Sequence, residues 1–309
     1  MPKVSAVFPI YGEKYIERSL RSLLDQTLED IEFILVDDRS PDSAYEKVMR
    51  LLEEGKYAHL KDNVKIIRHD VNKGVHVVRR TGWEASSGDY IYYMDSDDWL
   101  DLDMLRKLWE KAEEGGYDLV ECSLLDVDDE GNSSAHPSEI LPESYEDWVK
   151  SPFCYSLCNK LVKRNLFLKG ILWPQNPYLD DYVISRQLYF YSEKRFYLDE
   201  MLYHYYQHPS SIMHSAEASR RVKGKIGQDN ILESFIRSKG MYEKYRTYFT
   251  VTRAKNMVEA WYLPREEFLR LFPKDRLKVL LCRSVPLEER LGILTKLLGI
   301  HGIRGKKRS

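Results

Sequence analysis

The chain has 309 residues, 43% of them hydrophobic and 31% charged, the balance of an ordinary globular protein with room for one large domain and an appendage. Lys and Arg number 47 against 49 Asp and Glu, for a net charge of -2. That excludes the broad basic footprint of a nucleic-acid binder but leaves local phosphate sites open.

No window approaches 18 apolar residues, so no membrane-spanning helix is expected. Residues 1–9 read as a first strand rather than a signal peptide. Four cysteines, Cys122, Cys154, Cys158 and Cys282, are too few for a disulfide scaffold. Cys154 and Cys158 have neither the spacing nor the second pair of a zinc site, so reduced thiols in a cytoplasmic setting are expected.

Residues 4–10 are short, apolar and rich in β-formers. Residues 15–24 then place Ile16, Leu20, Leu23 and Leu24 on one helical face. A second apolar run over 31–36 is halted by Asp37-Asp38-Arg39-Ser40-Pro41. A helix over 45–52 and a strand over 64–67 follow. After Asn72-Lys73-Gly74 the pattern predicts a helix over 75–85, closed by Gly88, and a fourth strand over 90–94. A helix over 102–114, stopped by Gly115-Gly116, leads to a fifth strand over 117–125. Strands separated by helices of this length predict βαβ units. The expected fold is therefore α/β, a mostly parallel sheet with helices on both faces and right-handed crossovers.

From residue 126 the rhythm breaks. Residues 126–137 are polar and read as an exposed loop or hairpin tip. Helices are expected over 145–149 and 181–190, and the aromatic run 196–206 predicts a short strand. Beyond about residue 215 long helical patterns cover 216–238 and 241–261, with shorter ones over 266–272 and 287–298. The chain thus divides into a domain over 1–215 and a helical C-terminal extension over 216–309. From Leu291 onward it carries Lys296, Arg304, Lys306, Lys307 and Arg308 and no acid. Interleaved with Leu294, Leu297, Leu298 and Ile300, this segment is either a solvated tail or a peripheral contact with an anionic membrane.

Parallel α/β sheets bind ligands at the carboxyl ends of their strands, and two such ends are acidic: Asp37-Asp38, and Asp95-Ser96-Asp97-Asp98 after Tyr92-Tyr93-Met94. Clustered carboxylates repel one another unless a cation or hydrogen-bond donors compensate. A hard divalent ion that also holds phosphate oxygens fits that chemistry. Helix capping by Asp98 or Asp101 explains one or two of the acids. No G-x-G-x-x-G follows the first strand and no phosphate-binding G-x-x-x-x-G-K-[ST] loop is present.

Several segments in order resemble the family 2 glycosyltransferases. They are residues 4–11 and residues 19–27 with Gln26-Thr27; then residues 34–42 with Asp37-Asp38; then Asn72-Lys73-Gly74 with Arg79; and then Gly88-Asp89-Tyr90-Ile91 leading to Met94-Asp95-Ser96-Asp97-Asp98-Trp99. The resemblance covers about residues 3–214 and departs from the family pattern at Val78 and Arg80.

The resemblance implies a GT-A fold, with a Rossmann-like nucleotide-binding half. It also implies inverting transfer of a hexose or N-acetylhexosamine from a UDP-sugar to a saccharide or lipid-linked saccharide, in cell-surface polysaccharide synthesis. By the same resemblance Pro9 and Tyr11 line the base, Asp38 accepts from the uracil imide, and Arg79 and Ser96 serve the nucleotide-sugar site. Asp95 and Asp97 form the D-x-D pair, with Mn²⁺ or Mg²⁺ on Asp97 and Asp95 at its shell. Asp98 mainly caps the next helix.

Leu179-Asp180-Asp181-Tyr182 resembles the family's acidic pair before a helix, which implies the second acid, Asp181, as the base and Asp180 as the fallback, though two adjacent acids also suit a helix start. Trp99 either bounds the acceptor cleft or packs in the core or rim. Residues 205–212 resemble the family segment that closes over the pyrophosphate, so His208 either contacts phosphate or metal or packs in an aromatic-rich turn. Two alternatives remain at this level, a metal-dependent nucleotidyltransferase and a non-catalytic saccharide- or nucleotide-binding protein. The enzyme is expected in the cytoplasm or peripherally on the inner membrane face.

Overall fold

The computed structural model describes residues 1–12, 14–135, 155–208, 218–273 and 276–300. The chain divides into two compact units, Met1–Ser211 and Ile212–Ser309. The helix expected over 145–149, Cys154, the 209–212 part of the segment after His208, and the basic residues Arg304 to Arg308 lie outside the described residues.

The first unit is built on strands β1 (Val4–Ile10), β2 (Ile31–Asp37), β3 (Val64–Arg68), β4 (Tyr90–Tyr93), β5 (Trp99–Leu100), β6 (Leu119–Asp128), β7 (Ser133–Ala135), β8 (Lys160–Lys163) and β9 (Arg195–Gln207). They form one sheet in the order β3-β2-β1-β4-β8-β6-β9-β5, with β7 paired to β6. Strands β3, β2, β1 and β4 run parallel, as do β6 and β9. Strand β8 is antiparallel to both β4 and β6. Most of the paired length is parallel, as expected.

Every residue of β1 and β2 is buried, because helices cover both faces. Val4, Ala6, Phe8 and Ile10 point to one side, against α1 (Ile16–Leu24), α2 (Ala44–Leu52) and α4 (Met104–Gly115). Val7, Ile34, Val36 and Tyr93 point to the other, against α3 (Val75–Ala85) and α5 (Asp180–Tyr191). Helix α3 presses on β1 at Gly82, where a Cβ would stand 2.2 Å from a Val7 methyl. Only glycine permits that approach.

Strand β6 continues past the expected 125 to Asp128 and turns into β7, so of the two readings of the polar stretch the described residues form the hairpin. The aromatic run is no short strand: β9 spans thirteen residues and follows β6 across a register shift between Cys122 and Leu124. The short strands β5 and β8 carry too little apolar sequence to stand out alone.

In the second unit α6 (Ala218–Ser238), α7 (Tyr242–Glu259), α8 (Arg265–Leu271), α9 (Arg276–Leu281) and α10 (Leu287–Leu298) enclose a separate core. It is centred on Met257, Phe268, Phe272, Val279 and Ile293. None of the described helices is long and apolar enough to cross a membrane. Cys122, Cys158 and Cys282 are free thiols.

Candidate active site

The parallel register places the ends of β1, β2 and β4 along one edge of the sheet. At the end of β2, buried Asp37 pairs with Arg68 at 2.7 Å and accepts the Ser40 N–H at 3.0 Å. It thereby holds its own loop. Its neighbour Asp38 is also buried. Asp38 Oδ1 accepts the Lys73 N–H at 2.9 Å and meets His69 Nδ1 at 2.7 Å, while Oδ2 accepts the Gly74 N–H at 2.7 Å. His69 Nε2 continues to the Thr81 hydroxyl at 3.0 Å. Asp38 therefore ties down the turn that opens α3, where Gly74 adopts φ +87°. Its carboxylate already carries three protein contacts. Pro9 is buried in β1, and Tyr11 beyond it is half open to solvent.

The acids after β4 part company. Asp95 and Asp97 keep side-chain exposures of 31% and 36%. Ser96 Oγ donates to the Tyr11 carbonyl at 3.3 Å, tying this turn to the end of β1. Asp97 Oδ2 lies 2.9 Å from His208 Nε2. Asp98 is buried instead: Oδ2 accepts the Tyr203 hydroxyl at 2.5 Å and Oδ1 accepts the Tyr206 N–H at 2.7 Å. The expectation that Asp98 caps the following helix is wrong. That helix, α4, starts behind Asp103 with no side-chain cap, and Asp98 spends both oxygens on β9. Asp101 does not cap it either, and pairs with His204 at 2.8 Å. Burial pushes the carboxyl groups of Asp95 and Asp98 upward, with Asp97 adding to the rise at each.

Arg79, on the buried face of α3, reaches two of these elements. Its Nη2 lies 3.0 Å from Asp95 Oδ1 and its Nη1 lies 2.5 Å from Asp180 Oδ2. Burial alone would lower the guanidinium, but Asp180, Asp95 and Asp181 hold it well above its ordinary value. Asp180 and Asp181 open α5 behind Leu179, which is left-handed at φ 56° and makes no side-chain cap. Asp180 is buried against Arg79. Asp181 is only partly covered and accepts the Tyr182 N–H at 2.9 Å. Desolvation and the Asp180 charge push Asp181 up to about 7, against the pull of Arg79. One acid is thus committed to an ion pair. The other is poised to gain and lose a proton near neutrality.

A further residue, Arg18 of α1, escapes sequence reasoning. Its guanidinium stands 3.9 Å from the Trp99 ring centre and 4.5 Å from that of Tyr206, and Nη2 donates to the Asp97 carbonyl at 2.8 Å. Trp99 also stacks on His204, with centres 5.0 Å apart and planes 10° from parallel. Tyr15 and Tyr206 pack against His208 at 5.0 and 5.4 Å, and the Tyr206 hydroxyl donates to Asp129. Only the Tyr15–Arg18 helical spacing hints at this cluster, and such a spacing is common.

The model of glycosyl transferase family 2 matches residues 5–170, more than half of the chain. The chain belongs to glycosyl transferase family 2. EpsH of Bacillus subtilis (strain 168), named as a glycosyltransferase, is 28% identical over 94% of this chain and 86% of its own length. Among solved structures, Staphylococcus aureus TarS 1–349 in complex with UDP-GlcNAc superposes with a TM-score of 0.60 at 18% identity. That match covers 96% of this chain and 92% of TarS 1–349. A mannosyltransferase from Pyrobaculum calidifontis, in complex with GDP-Man and Mn²⁺, gives 0.55 at 14% identity over 97% and 87%. At such identities the likeness is one of fold, and the fold is GT-A. The family assignment sets aside the nucleotidyltransferase and the non-catalytic readings.

One three-residue grouping of this family 2 glycosyltransferase could hold a cation among the described residues. Ligand atoms of Asp95, Asp98 and Cys158 lie within 4.8 Å of one another. They fit a hard ion poorly, since both Asp98 oxygens serve β9 and burial holds the Cys158 thiol well above its usual value. Asp97 fits better: its carboxylate is half open, backed by an imidazole and adjacent to Asp95. Its carboxylate oxygens suit Mn²⁺ or Mg²⁺, and His208 holds one of them at 2.9 Å.

Proposed function

We propose that this glycosyltransferase moves a hexose or N-acetylhexosamine, with inversion, from a UDP-sugar to a saccharide or lipid-linked saccharide acceptor. The observation that carries the reading is the Arg79 bridge, which puts the D-x-D turn and the Asp180-Asp181 pair in one ionic network. Inverting transfer needs a diphosphate site and a proton acceptor on opposite faces of one anomeric carbon, and this network supplies residues for both. The UDP-GlcNAc held by TarS and the GDP-Man with Mn²⁺ held by the mannosyltransferase support a nucleotide sugar and a divalent ion.

Asp97 would hold Mn²⁺ or Mg²⁺, with Asp95 and His208 beside it. The ion supplies Lewis-acid stabilisation of the departing diphosphate. Pro9, Tyr11 and Asp38 receive the base, Asp38 adding the imide N–H to the contacts it already has. Ser96 and Arg79 serve the sugar-diphosphate side, Arg79 by neutralising the acids around it.

Asp181 takes the proton of the acceptor hydroxyl as its oxygen bonds to the anomeric carbon. The bond from that carbon to the diphosphate breaks, and its electron pair leaves with UDP. Asp180 orients the pair through Arg79. Trp99 bounds the acceptor side through its stack with His204 and Arg18. Transfer belongs to residues 1–215 and the helical extension to 216–309, in an enzyme working in the cytoplasm or peripherally at the inner membrane face during cell-surface polysaccharide synthesis.

The test is a donor screen. The protein is incubated with Mn²⁺ and each common nucleotide sugar, and released nucleoside diphosphate is measured. UDP release from a UDP-sugar, abolished by chelation, is expected. No release from any donor, together with no Mn²⁺-dependent UDP binding, contradicts the reading.

A further inference from the structure

The helical unit leaves a row of leucines in solvent. Leu277 and Leu281 on α9, and Leu287, Leu291, Leu294 and Leu298 on α10, are between 38% and 78% exposed. The α10 set recurs at intervals of four, three and four, so at 3.6 residues per turn it occupies an arc of about 60°. Ile293, off this arc, is fully buried in the core of the unit. The row is therefore the outer face of a helix already packed by its other side. Single surface leucines are ordinary, but four on one narrow stripe are not.

Charge selects the partner. The only acids of α10, Glu288 and Glu289, fall about 60° and about 140° outside the edges of the stripe. Exposed Lys278 and Arg283 stand on α9 and in the link to α10, and Arg290 fastens α10 to the Leu280 carbonyl at 3.3 Å. Lys296 turns to the other side of α10 and donates to the Leu263 carbonyl at 2.6 Å, while the sequence from Leu297 to Ser309 holds Arg304, Lys306, Lys307 and Arg308 without one Asp or Glu. Protein–protein interface cores favour aromatic residues and methionine, and this stripe is aliphatic throughout. A leucine face preceded in the chain by exposed Lys278 and Arg283 and followed by a basic sequence matches the boundary between acyl chains and anionic headgroups.

We propose that the leucine face of α10, with Leu277 and Leu281 of α9, docks this enzyme on an anionic phospholipid bilayer, α10 lying in the membrane plane. The docking goes beyond the transfer chemistry, and the two are read separately.

The full chain is sedimented with vesicles of phosphatidylcholine alone or mixed with phosphatidylglycerol. It should partition onto the mixed vesicles only, and less so as salt rises. Changing Leu287→Gln, Leu291→Gln, Leu294→Gln and Leu298→Gln together should weaken partitioning by at least about tenfold, with circular dichroism and UDP release unchanged. Full-length protein that ignores anionic vesicles, or a variant that binds them as well as the parent, overturns the proposal. So does a parent dimer that the variant turns into a monomer, since the stripe would then face a second copy. Vesicle binding without UDP release in either protein counts against the transfer reading alone.

Discussion

Arg79 stands between Asp95 Oδ1 and Asp180 Oδ2, at 3.0 and 2.5 Å, and so joins the end of β4 to the start of α5. Arg79 and Asp180 are both buried, so removing the cation strands a carboxylate away from water. Arg79→Met is expected to cost about 3–5 kcal/mol of stability, measured by urea unfolding. Arg79→Lys keeps the charge but not the two-pronged reach, and should recover only part of that loss.

Asp181, held at about 7 by burial and by Asp180, dictates a pH profile. A base works when ionised, so UDP release should fall about tenfold per pH unit below pH 7 and level off above it. The sign for stability is opposite. A carboxyl raised in the folded state binds its proton more tightly there than in the unfolded chain. Its ionisation therefore opposes folding as pH rises from the ordinary carboxylate range through 7. Asp181→Asn should raise Tm at pH 8 by about 2 °C or more, measured calorimetrically, with no such gain at pH 4.

Asp97 and Asp98 should answer differently to substitution. Asp97 is half open, so Asp97→Asn should leave Tm within roughly 2 °C of the parent and abolish Mn²⁺-dependent UDP binding in calorimetry. Asp98→Ala orphans the Tyr203 hydroxyl and the Tyr206 N–H, both paired to it inside the protein. It should cost about 1–3 kcal/mol and shift the urea midpoint.

Arg18 braces the Asp97 carbonyl from a stack on Trp99 and Tyr206. Arg18→Ala should remove about 0.5–2 kcal/mol of cation–π and hydrogen-bond support, red-shift Trp99 emission and weaken Mn²⁺ binding. Arg18→Lys should restore the charge without the stack. Unchanged emission and metal affinity in Arg18→Ala would show that the guanidinium only decorates the surface.

Local pattern reveals local causes. Strands β1 and β2 are covered on both faces, so their apolar runs stand out unaided, and the clustered acids at their ends advertise a site. Strand β9 is harder to read: Tyr203 and Tyr206 are buried while Phe196, Tyr197 and Tyr205 are only partly covered, and its partner β6 lies far back in the chain. The same holds for side chains. Asp38 meets Lys73 and Gly74, 35 and 36 residues on, and Arg18 meets Asp97 at a separation of 79. No periodicity encodes such pairs. The role of Asp98 eluded sequence for that reason too, since its partners on β9 stand more than a hundred residues away.

The division of labour between Asp97 and Asp181 is the centre of the account, and Asp181→Asn tests it most directly. UDP affinity in Mn²⁺ and the rate of UDP release are measured on the same preparation of that variant. Affinity should stay within about threefold of the parent, while release falls by about 100-fold or more, the scale of a lost general base. Release at the parent rate, or loss of UDP binding together with turnover, would contradict the assignment of Asp181 as the proton acceptor.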